Sequence, residues 1–485
     1  MRPQAAIFGD LEARSDRWTA RFGLCDLRRL RSCLQLLPDL RTGATCRGRR
    51  RISSAILARA ASMGNSQSQS PPAHPRFASA SRAFAQKELE DLRSLFFSLA
   101  AQSQPNGRHV SLPVFQAYFR VRGPLGERLF DLITQKRKDG KLNFEDLVIA
   151  KATYEKGTRD EIEDFIYQLL DVGDDGNVTR SDLESVMITV FDSVFSPKRV
   201  QTAGSPNQED LHIFLDSANF SETVQGHGDR RMSLEDLRRW FALVPSVRKF
   251  LGSLLVPADS GRPGSQVPRL SCWNNVDSGE IILNEEYAWH IGGVLSEGEL
   301  EHWKLLYHSS LSGLSFSTFL GSVNNSEGPT ILIIKDREGH IYGGYASQPW
   351  ERHSEFYGDM KSFLFQLYPH ASIYRPTGAN RNVQWCAVNF TSEDIPNGIG
   401  FGGRVNHFGL FISASFDQGQ TFACTTFGSP CLSTASRILP EVIECWGVVQ
   451  KKQLEKQDAV KGTILERFKE DRHMLNMVGL ANSSE

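Results

Sequence analysis

Residues 328–365 read GPTILIIKDREGHIYGGYASQPWERHSEFYGDMKSFLF. Thr330 to Lys335 is an apolar, β-branched run, and His340 to Ala346 is a second one interrupted by Gly343 and Gly344. Between them, Asp336-Arg337-Glu338-Gly339 ends on a glycine at the point where a left-handed backbone is needed, so the segment predicts a tight β-hairpin. A glycine pair inside a strand leaves one face without side chains, which brings another backbone or a bulky ring close. Trp350, Phe356, Phe363 and Phe365 are the rings on offer nearby.

Outward from the hairpin, strands are predicted near 363–368, 371–376, 384–390, 408–413, 420–426 and 441–449, with helices over Glu297 to His308 and Ser315 to Val323 ahead of it. Short antiparallel strands separated by turn signals predict a two-sheet sandwich flanked by helices. The ordered motifs ILIIKDREGHIYGGYASQPW, FYGD, SFLFQLYP, IGFGG, HFGLFI, CTTFGSP and IECWGVV resemble the TLDc domain throughout, over roughly Leu283 to Val449, about a third of the chain. The resemblance implies protection against oxidative damage and binding to the vacuolar-type proton-pumping ATPase, with no established catalytic chemistry.

From Gln86 to Val247 a different pattern recurs: an amphipathic helix, a short polar loop, then an apolar-polar-apolar triplet opening the next helix. The triplets are Val110-Ser111-Leu112, Leu142-Asn143-Phe144, Val178-Thr179-Arg180 and Met232-Ser233-Leu234. They resemble the short β-bridge and exiting helix of four EF-hands, the calcium-binding helix-loop-helix family, in which paired hands share a bridge. One loop, Asp171 to Asp182 (DVGDDGNVTRSD), carries the spacing of a calcium site. Asp171 and Asp175 stand at positions 1 and 5, Gly176 at the sharp turn, Asn177 at position 7 and Thr179 at position 9, with Asp182 closing the loop at position 12. Calcium is a hard cation needing six to eight oxygens, which accounts for carboxylates that would otherwise repel.

Two departures weaken that set. Gly173 offers no side-chain oxygen at position 3, and Asp182 is shorter than the bidentate glutamate usual at position 12, which shifts preference toward magnesium. The sequence therefore predicts one weak Ca2+ site, with Mg2+ as the competing ion and a Kd of roughly 10 μM to 1 mM. A metal-free structural hand is the other reading. In the neighbouring loop, aligning Gly140 with position 6 puts Gln135 at 1 and Arg137 at 3, and in the last loop Arg230 replaces the glycine, so these hands read as scaffolding.

The chain of 485 residues, 40% hydrophobic, exceeds what one core ordinarily supports, so two or three domains are expected. A formal net charge of −1 projects no strong field toward nucleic acid or anionic lipid. No stretch approaches the ~18 apolar residues of a membrane span. Eight cysteines show no CxxC or zinc spacing. GxSxG, HExxH and Walker A motifs are missing, and no small-molecule substrate is indicated. The glycine cluster Gly398-Ile399-Gly400-Phe401-Gly402-Gly403 is followed by a strand-like run, which favours a tight strand crossing over anion binding. Glu444, before Trp446 in a β-rich segment, matches an acidic position of the family motif and reads as a carboxylate capping backbone amides, with acid-base work as the alternative.

The ends differ from the middle. Residues 1–62 contain thirteen arginines and no lysine, as an organelle-targeting extension or sequence upstream of the start used in the cell. The run Arg47 to Arg51 is a weak nuclear address. Met63-Gly64-Asn65-Ser66-Gln67-Ser68 fits an N-myristoylation signal if translation begins at Met63, with Gly64 as acceptor and reversible membrane contact as the consequence. Residues 251–282, rich in proline and glycine, read as a linker, and Thr463 to Val478 predicts an amphipathic helix in the tail 450–485.

The expected molecule is thus an α+β multidomain protein. It has an arginine-rich extension (1–62), a flexible arm (63–85), an all-α EF-hand-like region (86–250), a linker (251–282), an antiparallel TLDc β-sandwich flanked by helices (283–449) and a helical tail (450–485). Its expected role is that of a non-enzymatic, calcium-responsive, cytoplasmic and membrane-peripheral adaptor. The alternative is a direct antioxidant or enzyme using Cys386, Cys424, Cys445 or Glu444. A reactive thiolate needs a nearby cation or helix N-terminus, whereas these cysteines sit in apolar, strand-like surroundings.

Overall fold

The computed structural model describes residues 75–449 except 105–106, 136, 138, 200–207, 224–229, 274–279 and 325–327. The arginine-rich extension, Gly64 and the helix expected over 463–478 lie outside the described residues.

The first half is helical. Its helices are α1 (Pro75–Ser81), α2 (Gln86–Ser103), α3 (Leu112–Phe119), α4 (Gly123–Ile133), α5 (Phe144–Lys156), α6 (Arg159–Leu170), α7 (Arg180–Arg199), α8 (Gln208–Leu215), α9 (Leu234–Leu243) and α10 (Pro245–Leu251). Their starts follow from side-chain caps: Asn143, Thr158 and Ser233 each accept an amide three residues on, and the acid at that third position, Asp146, Glu161 or Asp236, accepts the cap residue's own amide in return. The triplets between helices pair two by two. Val110 bridges Leu142 and Val178 bridges Met232, both antiparallel, through backbone bonds of 2.9 Å and 3.1 Å in the first and 2.8 Å in the second. A two-residue ribbon, β1 (Glu222–Thr223) with β2 (Arg230–Arg231), extends the second bridge.

The second half is a sandwich. Its larger sheet has seven strands in the order β3 (Arg269–Ser271), β4 (His302–His308), β14 (Pro440–Val449), β5 (Thr330–Asp336), β6 (Ile341–Ala346), β7 (Phe363–Tyr368), β8 (Ser372–Tyr374). The smaller sheet runs β13 (Arg437–Ile438), β12 (Gly419–Gln420), β11 (His407–Ser413), β10 (Gly398–Arg404), β9 (Gln384–Ala387). Pairing is antiparallel throughout except for β3 against β4. The flanking helices are α11 (Glu285–Gly292), α12 (Ser309–Ser312) and α13 (Phe316–Val323).

The unbroken apolar run of β5 has a structural cause. Leu332 and Ile334 point into the sandwich core with Phe401 and Leu410, whereas Ile331 and Ile333 join the core of the helical half with Trp289 and Phe191. A strand covered on both faces has no solvent side to mark with polar residues. The glycine pair of β6 is explained by crowding: a Cβ on Gly343 would lie 1.9 Å from the Leu332 carbonyl, and one on Gly344 would lie 2.6 Å from the Phe401 ring. Phe401, from the opposite sheet, was not among the rings expected from sequence; Phe365, 2.7 Å from the Gly343 position, was.

Three expectations are corrected. The helix over Glu297 to His308 is instead a 3-10 turn at Glu297–Glu299 followed by strand β4, in which Trp303, Leu305 and Tyr307 are all fully buried; the true period is two, and the Trp303–Leu306 spacing imitated a helix. The glycine cluster at 398–403, left out of the predicted strands, forms the inner strand β10 of the smaller sheet, in keeping with the expected close approach of strands. The proline-rich segment 251–282 is built into both halves. Arg262, 2% exposed, donates to the carbonyls of Phe119, Leu254 and Val256, the Trp289 indole donates to Gly264 at 2.7 Å, and β3 joins the larger sheet. With one apolar core running from Phe96 through Trp289 to Trp446, the two halves are packed against each other rather than strung on a spacer.

Candidate functional site

The loop between α6 and α7 carries the expected ligands, and each already has partners. Both oxygens of Asp171 accept backbone amides, Oδ1 from Asp175 at 3.1 Å and Oδ2 from Gly176 at 3.1 Å. Oδ2 also faces the Arg128 guanidinium at 3.3 Å. Asp175 accepts the Asn177 amide at 2.8 Å, and the Asn177 side-chain oxygen accepts Arg231 at 2.6 Å. Asp182 Oδ2 accepts both the amide and the hydroxyl of Thr179, at 2.9 Å and 2.6 Å. Gly173 adds no oxygen, and a Cβ there would stand 4.0 Å from Asp182. Among the described residues no three acidic, histidine or cysteine side chains stand together in ligating positions. This donor set does not fit calcium, because its key carboxylates are turned to amides, a hydroxyl and a guanidinium.

Arg128 and Arg231 are the residues that sequence reasoning missed. Arg128 carried a signal: it falls on the apolar stripe of α4, at the spacing Leu125, Arg128, Leu129, Leu132, where a charge is unexpected without a buried partner. It is 5% exposed, its second amino group reaches Asp174 at 2.7 Å, and its Nε donates to the Gln168 carbonyl at 3.0 Å.

In the sandwich, Glu444 is fully buried on β14. It accepts the amides of Ile282 at 2.6 Å and Leu283 at 3.3 Å and the Trp446 indole at 2.9 Å, with His308 Nε2 at 3.6 Å. Burial pushes its carboxyl up, against the pull of the Ile282 amide and the Trp446 indole. The acid thus ties the segment before α11 to the middle of the larger sheet. Cys386, Cys424 and Cys445 are free and buried, and burial pushes the thiols of Cys386 and Cys445 up to about 12.

A family model described as the TLDc domain matches residues 276–449. The chain carries a TLDc domain. The matched residues take in all of the sandwich except β3, together with α11, α12, α13 and the Glu444 anchor. Curated relatives include MTOR-associated protein MEAK7 from Danio rerio, 32% identical over 253 residues, which is 50% of this chain and 55% of that protein. The Xenopus laevis MEAK7 protein is 25% identical over 438 residues, covering 82% of this chain and 94% of that one. Oxidation resistance protein 1 from Rattus norvegicus is 28% identical over 144 residues, 30% of this chain and 16% of its own length. The chain thus spans about half the length of the Danio rerio and Mus musculus MEAK7 proteins that it matches. A solved PP2A PR70 holoenzyme chain overlays on 33% of this chain at 16% identity and a TM-score of 0.24, a likeness too slight to bear on function. No helix among the described residues is long and apolar enough to cross a membrane.

Proposed function

We propose that this protein is a non-enzymatic adaptor in which the TLDc domain docks onto a larger protein assembly and the helical half, an EF-hand-like array, supports it as a rigid body. The observation that carries the reading is the employment of the TLDc domain's reactive groups. Glu444 is closed off by two amides and an indole, and the thiols of Cys386 and Cys445 are buried and held far from the thiolate form, so these groups build the fold and leave its surface for recognition. The names of the relatives support a regulatory role linked to oxidative stress, since one is called MTOR-associated and another oxidation resistance protein. The vacuolar-type proton-pumping ATPase is the assembly we favour on the family resemblance. A start at Met63 would place a myristoyl group on Gly64, adding a reversible membrane contact, since one acyl chain binds bilayers only marginally.

Affinity capture of the full chain from cell extract under native conditions tests the reading. Pump subunits are expected in the eluate, and mass spectrometry of the cellular protein reports the N-terminus and its acylation. The purified chain is expected not to consume hydrogen peroxide, and Cys386 and Cys445 are expected to react with a thiol label only after denaturation. Labelling of either cysteine in the native protein, together with peroxide consumption, would favour a direct antioxidant instead.

A further inference from the structure

We propose that the hand formed by α6, the loop 171–182 and α7 is held by an arginine in place of a metal, so that the folded protein does not respond to calcium through this site. The proposal rests on reading the helical half as EF-hand-like. A metal-loaded loop gathers carboxylates around one cation. Here the cation belongs to the chain. The Arg128 guanidinium, delivered by α4, spans Asp171 and Asp174 at 3.3 Å and 2.7 Å and is itself withdrawn from solvent. A guanidinium is a fixed cation, so it supplies a counter-charge to Asp171 and Asp174 whatever the calcium concentration.

The neighbouring loop carries the same arrangement independently. Counted from Gly140 at position 6, Arg137 stands at position 3 and Asp146 at position 12, and the two form an ion pair. A cation again bridges the loop, this time from within it. The position-12 acids share a second feature. Asp146, Asp182 and Asp236 each accept the backbone amide of the residue three places earlier, Asn143, Thr179 or Ser233. An aspartate turned back onto its own helix start is one carbon too short to reach forward as a bidentate metal ligand. Across the second bridge, Arg231 of the last loop donates to Asn177 of the loop 171–182, so a second guanidinium reaches the expected metal site.

The test uses the full chain, the variants Arg128→Gln and Arg128→Lys, and calcium itself as the probe. Calorimetric titration of the wild type with calcium up to about 1 mM is expected to give no binding heat, the range being that of weak EF-hands. Its thermal midpoint is expected to be the same in calcium and in EGTA. Arg128→Gln is expected to melt roughly 5 °C lower in EGTA because it leaves Asp171 buried without its counter-charge, and to bind calcium weakly once that carboxylate is released. Should Arg128→Gln fail to fold, Arg128→Lys, which keeps the charge and loses the fork, is expected to show a smaller drop and carries the same comparison. A wild-type chain that binds one calcium below about 1 mM overturns the proposal and leaves the EF-hand reading standing. A variant as stable as the wild type overturns the proposal. A destabilised variant that gains no calcium binding overturns the claim that Arg128 stands in place of a metal and leaves the EF-hand reading untouched.

Discussion

Glu163 on α6 and Glu444 on β14 are both withdrawn from solvent, at 1% and 0% exposure, and the two halves of the molecule resolve that burial in opposite ways. Around Glu163 three guanidiniums converge, from Arg159 on the same helix, Arg238 on α9 and Arg248 on α10, at 2.8 Å, 3.0 Å and 3.2 Å. Burial alone would push the Glu163 carboxyl up, but the bonds from Arg159 and Arg238 outweigh it and hold it below the usual range. Glu444 meets neutral amides and an indole, and there burial prevails, raising the carboxyl. The difference follows from architecture. Helices project long basic side chains inward from the surface along their sides, so they can deliver a charge to a buried acid. Glu444 lies on the face of the larger sheet that Ile333 also occupies, and the segment before α11 and the Trp446 ring offer it backbone and ring N–H groups there. Glu163 is therefore held ionised, whereas Glu444 is driven toward neutrality.

Removing Glu444 is the largest test of that contrast. Glu444→Ala leaves the Ile282 and Leu283 amides and the Trp446 indole without their acceptor in the core, so a loss of about 4 kcal/mol in chemical denaturation is expected. Glu444→Gln retains an acceptor oxygen and is expected to lose about half as much. An alanine variant as stable as the wild type would show that the acid is not a structural anchor, and would revive its candidacy for acid-base chemistry.

A smaller effect is expected at Glu163. Glu163→Gln strands three guanidiniums, but Arg159 and Arg248 retain solvent access, with side-chain exposures of 68% and 42%. The expected loss is about 2 kcal/mol, mainly from the buried end of the network. Adding about 1 M salt should reduce the wild-type stability little, because the carboxylate itself is shielded from the screening ions. Strong salt sensitivity at this site would contradict the ion-paired description.

The weakest test is a pH profile. Asp236, capping α9, has its carboxyl lowered to about 2: burial opposes the shift, but bonds from Ser221 and Ser233 overcome it. A depressed acid contributes stability that is fully present above the unfolded value of about 4 and is lost as pH falls from there toward 2. Glu163 acts in the same direction, whereas the raised Glu444 acts in the opposite one. Asp236→Asn is therefore expected to flatten the acid limb of the stability curve between pH 4 and pH 2 while lowering the plateau at neutral pH. An unchanged acid limb would mean that Asp236 is not held ionised in the folded protein.

What could be read along the chain depended on whether its cause was local. The hairpin at 330–346 and the bridge triplets of the helical half follow from short spacings, and the structure places them where those spacings do. Strand β4 was misread because Trp303 and Leu306 lie at a helical interval by chance, and only the pairing of β4 with β14 and β3 fixes its period. The metal-like spacing of Asp171, Asp175 and Asp182 was equally plain, but spacing records only which oxygens a loop has to offer. Which cation takes them depends on the partner that packing brings, here Arg128, 43 residues away from Asp171.

The sequence by itself thus determined an α+β chain with a helical half, a TLDc sandwich and a loop rich in carboxylates, because periodicity and ordered motifs are properties of neighbouring residues. The tertiary structure alone decided that the proline-rich segment fastens both halves to one core, that Phe401 fills the space over Gly344, and that Glu163 meets arginines while Glu444 meets amides. Those outcomes are contacts between residues distant in the chain, and the electrostatic fate of a buried group is set by what lies across the packing interface, which no local pattern encodes.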